Sequence, residues 1–251
     1  MPVSCGILMP MNTPFYASFQ PQPTGDGSDT LYSAEYGETF HSTFGALTET
    51  EHVFLDGTGI KQRFAEGQSA RVLEVGFGTG LNFWVTAHYS QTVGALLEYV
   101  ALEKYMLPAA TLAGLNHHQL PAVAQDIRLA FLDWRAGLPD PPPGSQLHWR
   151  YGDSIRLELV VGDATRAAIP HREYHAIYQD AFSPDNNPEL WTPAFFVRLF
   201  EALTPGGRLA TYSVKGEVRR NLTAAGFQVQ KRPGPPGKRE ILVATKPTPQ
   251  P

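Results

Sequence analysis

The stretch LEVGFGTGLNF, residues 73–83, joins an apolar run to a segment with helical spacing through a turn rich in glycine. The residues that precede the turn, RVLEV, have the length and apolar character of a buried strand. Those that follow it, LNFWVTAHY, are typical of a helix. The turn itself contains Gly76, Gly78 and Gly80. A strand, a glycine turn and a helix in this order predict a loop that holds a nucleotide-like ligand at the helix N-terminus.

Strand-like and helix-like segments alternate from Ala70 onward, which predicts a parallel sheet covered by helices on both faces. Two pairs of predicted strands have no helix between them: residues 146–152 with 154–163, and residues 227–232 with 239–245. The last pair must therefore form an antiparallel hairpin at one edge of the sheet. A mostly parallel sheet with a reversed strand at its edge resembles the Rossmann-like α/β fold of class I methyltransferases.

The chain divides by composition into one main domain and three shorter pieces. The main domain is predicted over residues 70–246, and residues 29–69 are predicted to form an N-terminal cap segment. Residues 1–28 are rich in Pro, Gly, Ser and Gln and are expected to be a disordered lead-in. Residues 247–251 are expected to be a frayed tail.

Composition narrows the classes of protein that need to be considered. The chain has 251 residues, of which 42% are hydrophobic, enough for a sizeable core. The single cysteine, Cys5, excludes a disulfide within the chain and a cysteine-based zinc site. No apolar stretch is long enough to span a membrane, and no basic residue precedes Lys61, so the expected location is the cytoplasm. The histidines of NHHQ, residues 116–119, lack acidic neighbours, so no metal site is expected.

Charge is distributed unevenly along the chain. Residues 1–60 carry seven acidic residues and no Lys or Arg, whereas residues 206–251 carry nine Lys and Arg against Glu217 and Glu240. A basic terminal section can bind a polyanion, and it can equally be an ordinary solvated surface. Charge alone leaves both interpretations open.

The spacing E-x-G-x-G-x-G resembles the S-adenosylmethionine loop of class I methyltransferases, in which glycine allows the ligand to lie against the backbone. Acidic residues also follow the next predicted strands, and ligands of open α/β sheets bind beyond these strand ends. Glu103 is placed to accept the ribose hydroxyls, and Asp163 with Ala164 to bind adenine. The residues assigned to this cofactor are Glu74, Gly76, Phe77, Gly78, Thr79, Gly80, Asn82, Glu103, Lys104, Asp163 and Ala164. Glu49 and Thr50 are added, over the cofactor or the substrate, chiefly because their segment agrees with a family motif.

The segment DAFSPDNNPELW, residues 180–191, fits the pattern D-x-F-x-P-x-x-N-P-x-x-W. It resembles the methyltransferase domain of the bacterial bifunctional enzymes of tRNA 5-methylaminomethyl-2-thiouridine biosynthesis. The segments GFGTGLNF, GKRE and FHSTFGALTETEHVFL agree with that domain, and the similarity spans roughly residues 30–245. The chain is too short to include the FAD-dependent oxidase domain of these enzymes, so a stand-alone form is expected.

The resemblance implies methylation of the aminomethyl group on a modified wobble uridine in tRNA, with an upstream enzyme that supplies the aminomethyl uridine. Asp180 is assigned as the catalytic residue, because it can hold the amine, orient its lone pair and accept a proton. For Phe182 and Trp191, packing in the core is an equal alternative to contact with the base. The residues assigned to the substrate are Phe182, Pro184, Asn187, Trp191, Lys215, Arg219, Arg220, Lys238 and Arg239.

Two other functions fit parts of the same pattern. One is a methyltransferase or aminopropyltransferase of this fold that acts on a small-molecule amine, which has no need of the basic C-terminal section. The other is a non-catalytic RNA-binding or scaffold protein, against which the intact glycine loop and the strand-end acids argue.

Overall fold

The computed structural model describes residues 19–169 and 173–249, and two sheets organise this part of the chain. The strands are β1 (Pro21–Pro23), β2 (Asp29–Ser33), β3 (Glu38–Thr39), β4 (Ala70–Val75), β5 (Leu97–Glu103), β6 (Gln146–Tyr151), β7 (Ile155–Val161), β8 (Tyr174–Gln179), β9 (Leu203–Thr211), β10 (Gln228–Pro233) and β11 (Glu240–Thr245). The first three form a small antiparallel sheet, and the other eight form the central sheet.

The central sheet has the strand order β10-β11-β9-β8-β4-β5-β7-β6. Its five middle strands are parallel, and β6 pairs antiparallel with β7 at one edge. At the other edge β11 lies between β9 and β10 and is antiparallel to both. The predicted class I methyltransferase fold, with its mostly parallel sheet and its C-terminal edge hairpin, is confirmed.

Helices cover both faces of this sheet. They are α1 (Ala46–Glu49), α2 (Ile60–Ala65), α3 (Leu81–Thr92), α4 (Ala109–Ala113), α5 (Gln125–Ala136), α6 (Pro193–Ala202) and α7 (Gly216–Ala224), with a π-helical segment at Thr50–Asp56. Side chains of β4 alternate between two buried clusters: Val72 packs with the aromatic residues of α3 and α5, and Leu73 packs with those of α6. Such apolar residues on both faces are expected for a parallel strand with helices above and below it.

Part of the predicted disordered lead-in has a defined structure. Residues 21–23 pair with β2, and the Thr24 hydroxyl donates a hydrogen bond to the Ser28 carbonyl over 2.8 Å. The Asp26 carboxylate accepts hydrogen bonds from Ser28 and from Thr48 of α1. The prediction is therefore wrong for residues 19–28, because this polar cluster ties a segment of low hydrophobicity to α1. The remainder of the lead-in lies outside the described residues, as do residues 250 and 251 of the predicted tail.

A short 3-10 turn separates the loop after β8 from the start of α6. Pro188–Trp191 form a single 3-10 turn, and α6 starts at Pro193 with Thr192 as its N-cap. The Thr192 hydroxyl accepts a hydrogen bond from Phe195 N over 3.2 Å, whereas Asn187 makes no such capping bond. Among the described residues, no helix has the length and apolar character needed to cross a membrane.

Candidate functional site

A cavity of about 580 Å³ opens at the carboxyl ends of β4, β5, β7 and β8. The sequence assigned twenty-three residues to the site, and twelve of them line this cavity: Glu49, Gly76, Phe77, Gly78, Glu103, Lys104, Asp163, Ala164, Asp180, Phe182, Asn187 and Lys238. These residues come from six separate parts of the chain. The parallel sheet brings four of these parts to one edge, and Glu49 and Lys238 reach it from α1 and from the turn between β10 and β11. The volume falls within the range of pockets for small molecules and cofactors.

The glycine turn after β4 forms one wall of the cavity. Gly76, Gly78 and Gly80 have φ values of 92°, 50° and 77°, in the left-handed region that other residues avoid. A Cβ atom at position 76 would lie 2.8 Å from the Asp180 carbonyl oxygen, and one at position 78 would lie 2.9 Å from the Phe40 ring. The sequence therefore requires glycine here for both the turn and the close approach. Thr79 and Gly80 follow the turn behind the wall and are not among the lining residues.

Two acidic residues continue the wall at the ends of β5 and β7. Glu103 accepts hydrogen bonds from the backbone N–H groups of Gly78 over 2.8 Å and of Tyr105 over 3.0 Å. Burial raises the pKa of Glu103 despite these bonds. Asp163 is half exposed beside Ala164, and hydrogen bonds from Thr165 lower its pKa. The adjacent Lys104 pairs with Glu35 and with the Tyr36 hydroxyl, each over 3.0 Å.

Asp180 follows β8 and faces the cavity, where one buried amide holds its side chain. Asn82 Nδ2 donates to Asp180 Oδ2 over 2.8 Å and to Glu74 Oε1 over 2.7 Å. The Asn82 Oδ1 atom accepts a bond from the Thr50 hydroxyl over 2.7 Å. The two amide hydrogens and the amide oxygen therefore all have protein partners. Glu74, Asn82 and Thr50 lie behind the cavity wall, and they orient Asp180 instead of lining the space where a cofactor would bind.

Burial dominates the electrostatics of this network. Burial, together with electrostatic coupling to the carboxyl groups of Glu49 and Glu74, raises the pKa of Asp180 well above its usual range. Burial also raises the pKa of Glu74 to about 8, although the Asn82 hydrogen bond acts in the opposite direction. Glu74 is therefore largely protonated at neutral pH. It lies two residues before the first glycine, and its side chain belongs to the hydrogen-bond network behind the loop.

The raised pKa of Glu74 predicts a dependence of stability on pH. Between pH 4.5 and about pH 8 the folded chain holds a proton on Glu74 that the unfolded chain releases, so stability from this group falls as pH rises through that window. Glu74→Gln cannot ionise and should lose less stability than the wild type between these pH values. Urea unfolding at pH 5 and at pH 8 measures the difference, and parallel losses in the two proteins would contradict it.

Lys238, in the turn between β10 and β11, reaches the same cavity. Its ammonium group forms an ion pair with Glu49 of α1 and lies 4.3 Å from the centre of the Tyr212 ring. Glu49 Oε2 also accepts a hydrogen bond from Ser42 N over 2.8 Å. The ring of Phe44 packs directly against Gly237, at a spot where no side chain would fit. The motif GKRE thus fastens the C-terminal hairpin to the N-terminal segment.

The loop that follows Asp180 is held in place by the small N-terminal sheet. Glu38 accepts hydrogen bonds from the Ser183 backbone and hydroxyl and from Asn186. The Phe182 ring stacks on Tyr36 with a centroid distance of 4.2 Å, and both rings line the cavity. The loop is therefore fixed by contacts between segments about 145 residues apart in the sequence.

Trp191 does not line the cavity, contrary to its assignment to the substrate. It is 2% exposed within the cluster that covers one face of the sheet. Its indole N–H donates to the Phe182 carbonyl over 2.8 Å, which anchors the loop from below. Asn187 is buried at the cavity edge and donates to Glu189 over 2.7 Å. Pro184 is part of the loop but is not among the lining residues.

The basic residues assigned to the substrate lie at different places. Lys215 pairs with Asp185 of the loop beside the cavity. Arg219 and Arg220 lie together on α7 and line a shallow groove next to β10, and Arg239 is exposed beside Lys238. Four of the five residues are outside the cavity, and Lys238 lines it.

Much of the cavity comes from residues that sequence reasoning did not select. They include Phe19, Ser33, Tyr36, Glu38, Thr39, Phe40, His41, Ser42, Tyr105, Glu189 and Tyr212. Burial lowers the pKa of His41 to about 4, so this side chain is neutral at physiological pH. The sequence feature that could have indicated these residues is the acidic and aromatic composition of the segment before residue 56. In the described part of the chain, no cluster of three or more His, Cys, Asp or Glu residues could hold a metal ion.

A family model, named relatives and a solved structure were compared with this chain, and all three indicate a methyltransferase. A family model described as S-adenosyl-L-methionine-dependent methyltransferase matches residues 139–247. The tRNA 5-methylaminomethyl-2-thiouridine biosynthesis bifunctional protein MnmC of Ralstonia nicotianae is 37% identical over 91% of this chain. The protein of the same name from Pseudomonas aeruginosa is 35% identical over 85% of the chain. The chain spans about a third of the length of these relatives, 34% and 33% respectively.

A solved structure matches the chain over nearly its full length. The crystal structure of MnmC2 from Aquifex aeolicus superimposes with a TM-score of 0.76 at 29% sequence identity. The match covers 95% of this chain and 73% of that one. The two chains therefore share their overall fold.

Proposed function

The chain belongs to the S-adenosyl-L-methionine-dependent methyltransferases, and from this premise we propose that it methylates the aminomethyl group of a modified wobble uridine in tRNA. The product would be a methylaminomethyl uridine, with or without the 2-thio group. The names of the relatives support the substrate, and the placement of Asp180 in the cavity supports the reaction. This placement is the observation on which the proposal depends most.

The residues of the cavity fit the cofactor. The cavity wall at Gly76 and Gly78 leaves no room for a Cβ atom, which suits a ligand held against backbone. In this proposal Glu103 binds the ribose hydroxyls, as a strand-end acid does in dinucleotide folds, and Asp163 binds the adenine end. When bound, S-adenosylmethionine supplies an electrophilic methyl group on a positively charged sulfur atom.

The charge balance of the cavity favours positively charged ligands. Six acidic side chains line it, and two lysines accompany them: Glu38, Glu49, Glu103, Asp163, Asp180 and Glu189, with Lys104 and Lys238. Burying uncompensated carboxylates is unfavourable, and a cation in the same space offsets that cost. The sulfonium of the cofactor and the ammonium of an aminomethyl group are both cations of this kind.

Asp180 is suited to the proton transfer that the reaction requires. An alkylamine must lose its proton before its lone pair can attack, and a carboxylate within hydrogen-bond reach can orient the amine and accept that proton. The raised pKa of Asp180 makes it a stronger proton acceptor than an exposed aspartate. An entering ammonium favours the ionised form of Asp180, which restores the acceptor when the substrate is present.

The proposal is tested by incubating the purified protein with labelled S-adenosylmethionine and tRNA that carries aminomethyl uridine. Nucleoside mass spectrometry should find the label in methylaminomethyl uridine and in no other nucleoside. Transfer to free small-molecule amines, with none to tRNA, would favour a small-molecule methyltransferase instead. Because the chain as proposed acts on an amine, tRNA from cells that lack the enzyme forming the aminomethyl group should not accept the label.

The proposal also predicts where the tRNA backbone is bound. Arg219 and Arg220 are adjacent on α7, and they line a groove together with Val229 of β10. If each neutralises a phosphate, Arg219→Ala with Arg220→Ala should reduce the slope of log affinity against log salt by about 1.5. Filter binding of tRNA at several salt concentrations measures this slope. Arg150→Ala, at the opposite edge of the sheet, is the matched control and should not change it, and the double variant should still bind S-adenosylmethionine normally.

A further inference from the structure

Lys238 and its acidic partner Glu49 line the same cavity as Asp180. Thr50, which follows Glu49, donates to the Asn82 amide that holds Asp180. The side chain of Lys238 is 23% exposed, and that of its partner Glu49 is 4% exposed. The backbone of Ser42 holds the second oxygen of Glu49, and the Tyr212 ring covers the ammonium group. The pair is thus fixed from several sides in a partly desolvated place, where charges act strongly on one another.

We propose that Lys238 and Glu49 are positioning residues that set the charge state of Asp180 through their opposite charges. The inference rests on the proposed function, in which Asp180 accepts a proton from the amine. It assigns the C-terminal hairpin a role in the chemistry, in addition to its place at the sheet edge.

The groups around Asp180 divide by the direction of their effect. Glu49 from α1 and Glu74 from β4 favour its protonated form, whereas Lys238 and the Asn82 hydrogen bond favour its ionised form. Three further titratable groups face this region: Tyr99 from β5, Tyr212 from the end of β9 and Glu38 from β3. Of these groups, Lys238 is the one that brings a positive charge. Removing either member of the pair therefore leaves an uncompensated charge beside Asp180.

Opposite substitutions should shift the titration of Asp180 in opposite directions. Glu49→Gln removes a negative charge and leaves Lys238, so the ionised form of Asp180 gains and its titration moves to lower pH. Lys238→Met removes the positive charge and leaves Glu49, so the titration moves to higher pH. A single charge at close range shifts such a group by about one pH unit. The double variant should titrate close to the wild type.

The experiment uses the full chain with ¹³C-labelled aspartate carboxyl groups, followed by NMR as pH is varied. The Asp180 signal is assigned by its loss in Asp180→Asn. Lys238→Arg keeps the charge and should keep the wild-type titration, which separates charge from packing. The acidic limb of the kcat/KM profile for tRNA should move with the NMR titration in each variant.

Shifts of opposite sign for Glu49→Gln and Lys238→Met support the proposal, and shifts of the same sign or none at all overturn it. A fall in activity that is uniform across pH, without an NMR shift, would make the pair purely structural. If Lys238→Met fails to fold, the comparison of Glu49→Gln with the wild type still decides the sign. The NMR titration requires no substrate, so it remains valid even if the wild type does not methylate tRNA and the proposed function fails.

Discussion

Asp180→Asn should keep the binding of S-adenosylmethionine and lower turnover with tRNA at least about 100-fold, the usual contribution of a positioned acid–base group. Asparagine has nearly the same shape as aspartate, and its oxygen can accept the Asn82 hydrogen bond that Asp180 accepts over 2.8 Å. Its amide cannot take a proton from an ammonium at neutral pH. Single-turnover kinetics with saturating tRNA measures the loss, and calorimetry measures the binding of the cofactor.

The control is another acid of the same cavity. Asp163→Asn changes a strand-end carboxylate whose partners are Thr165 and Arg166, away from the Asn82 network. It should weaken cofactor binding and leave single-turnover chemistry at saturation close to that of the wild type. If Asp180→Asn turned over at near-normal speed, Asp180 would be a structural residue and the proton would need another acceptor.

The sheet and the glycine loop were predictable because local spacing determines both. A run of apolar residues before a glycine turn can only be a buried strand here, and parallel strands place their carboxyl ends at one edge. Glu103, Asp163 and Asp180 were therefore expected at one place, and all three line the cavity. Their roles toward cofactor and substrate remain proposals.

The sequence distinguishes poorly between residues that line the cavity and residues that lie behind the cavity wall. Glu74 and Asn82 have positions typical of ligand contacts, but alternation along β4 and the first turn of α3 direct both side chains beneath the loop. For Trp191, aromatic character suits a cavity and a core equally, and only the packing of α6 decides for the core. The sequence alone therefore does not tell which of these side chains face the cavity and which face the core.

Long-range pairs were the least predictable. Glu38 contacts Ser183, and Lys238 contacts Glu49 across 189 positions. No spacing rule connects such residues, because their meeting depends on how the N-terminal sheet and the C-terminal hairpin fold over the strand ends. The basic composition of the last section was compatible with a surface for polyanions and with an ordinary solvated surface. In the structure Lys238, Lys215 and Lys231 are each paired with an acid, which composition does not reveal.

Gly78→Val should weaken S-adenosylmethionine binding at least about 100-fold while the fold is retained, because a strained backbone costs about 1–3 kcal/mol and the new side chain adds a clash. Gly78 has a φ of 50°, and a Cβ atom there would lie 2.9 Å from the Phe40 ring at the cavity wall. A backbone shift that relieves the strain or the clash would move the Gly78 N–H away from Glu103, to which it donates a hydrogen bond over 2.8 Å.

The matched control for Gly78→Val is Gly94→Val, which separates strain at the cavity from strain in general. Gly94 has a φ of 68° in the turn after α3, and a Cβ atom there would have no neighbour within 4 Å. Both variants place a β-branched residue at positive φ, so both should lose stability in thermal unfolding, and Gly78→Val should lose more because of the contact with Phe40. Only Gly78→Val should lose cofactor affinity in calorimetry. Equal affinity in the two variants would remove the glycine turn from the binding site and leave it as a tight connection between β4 and α3.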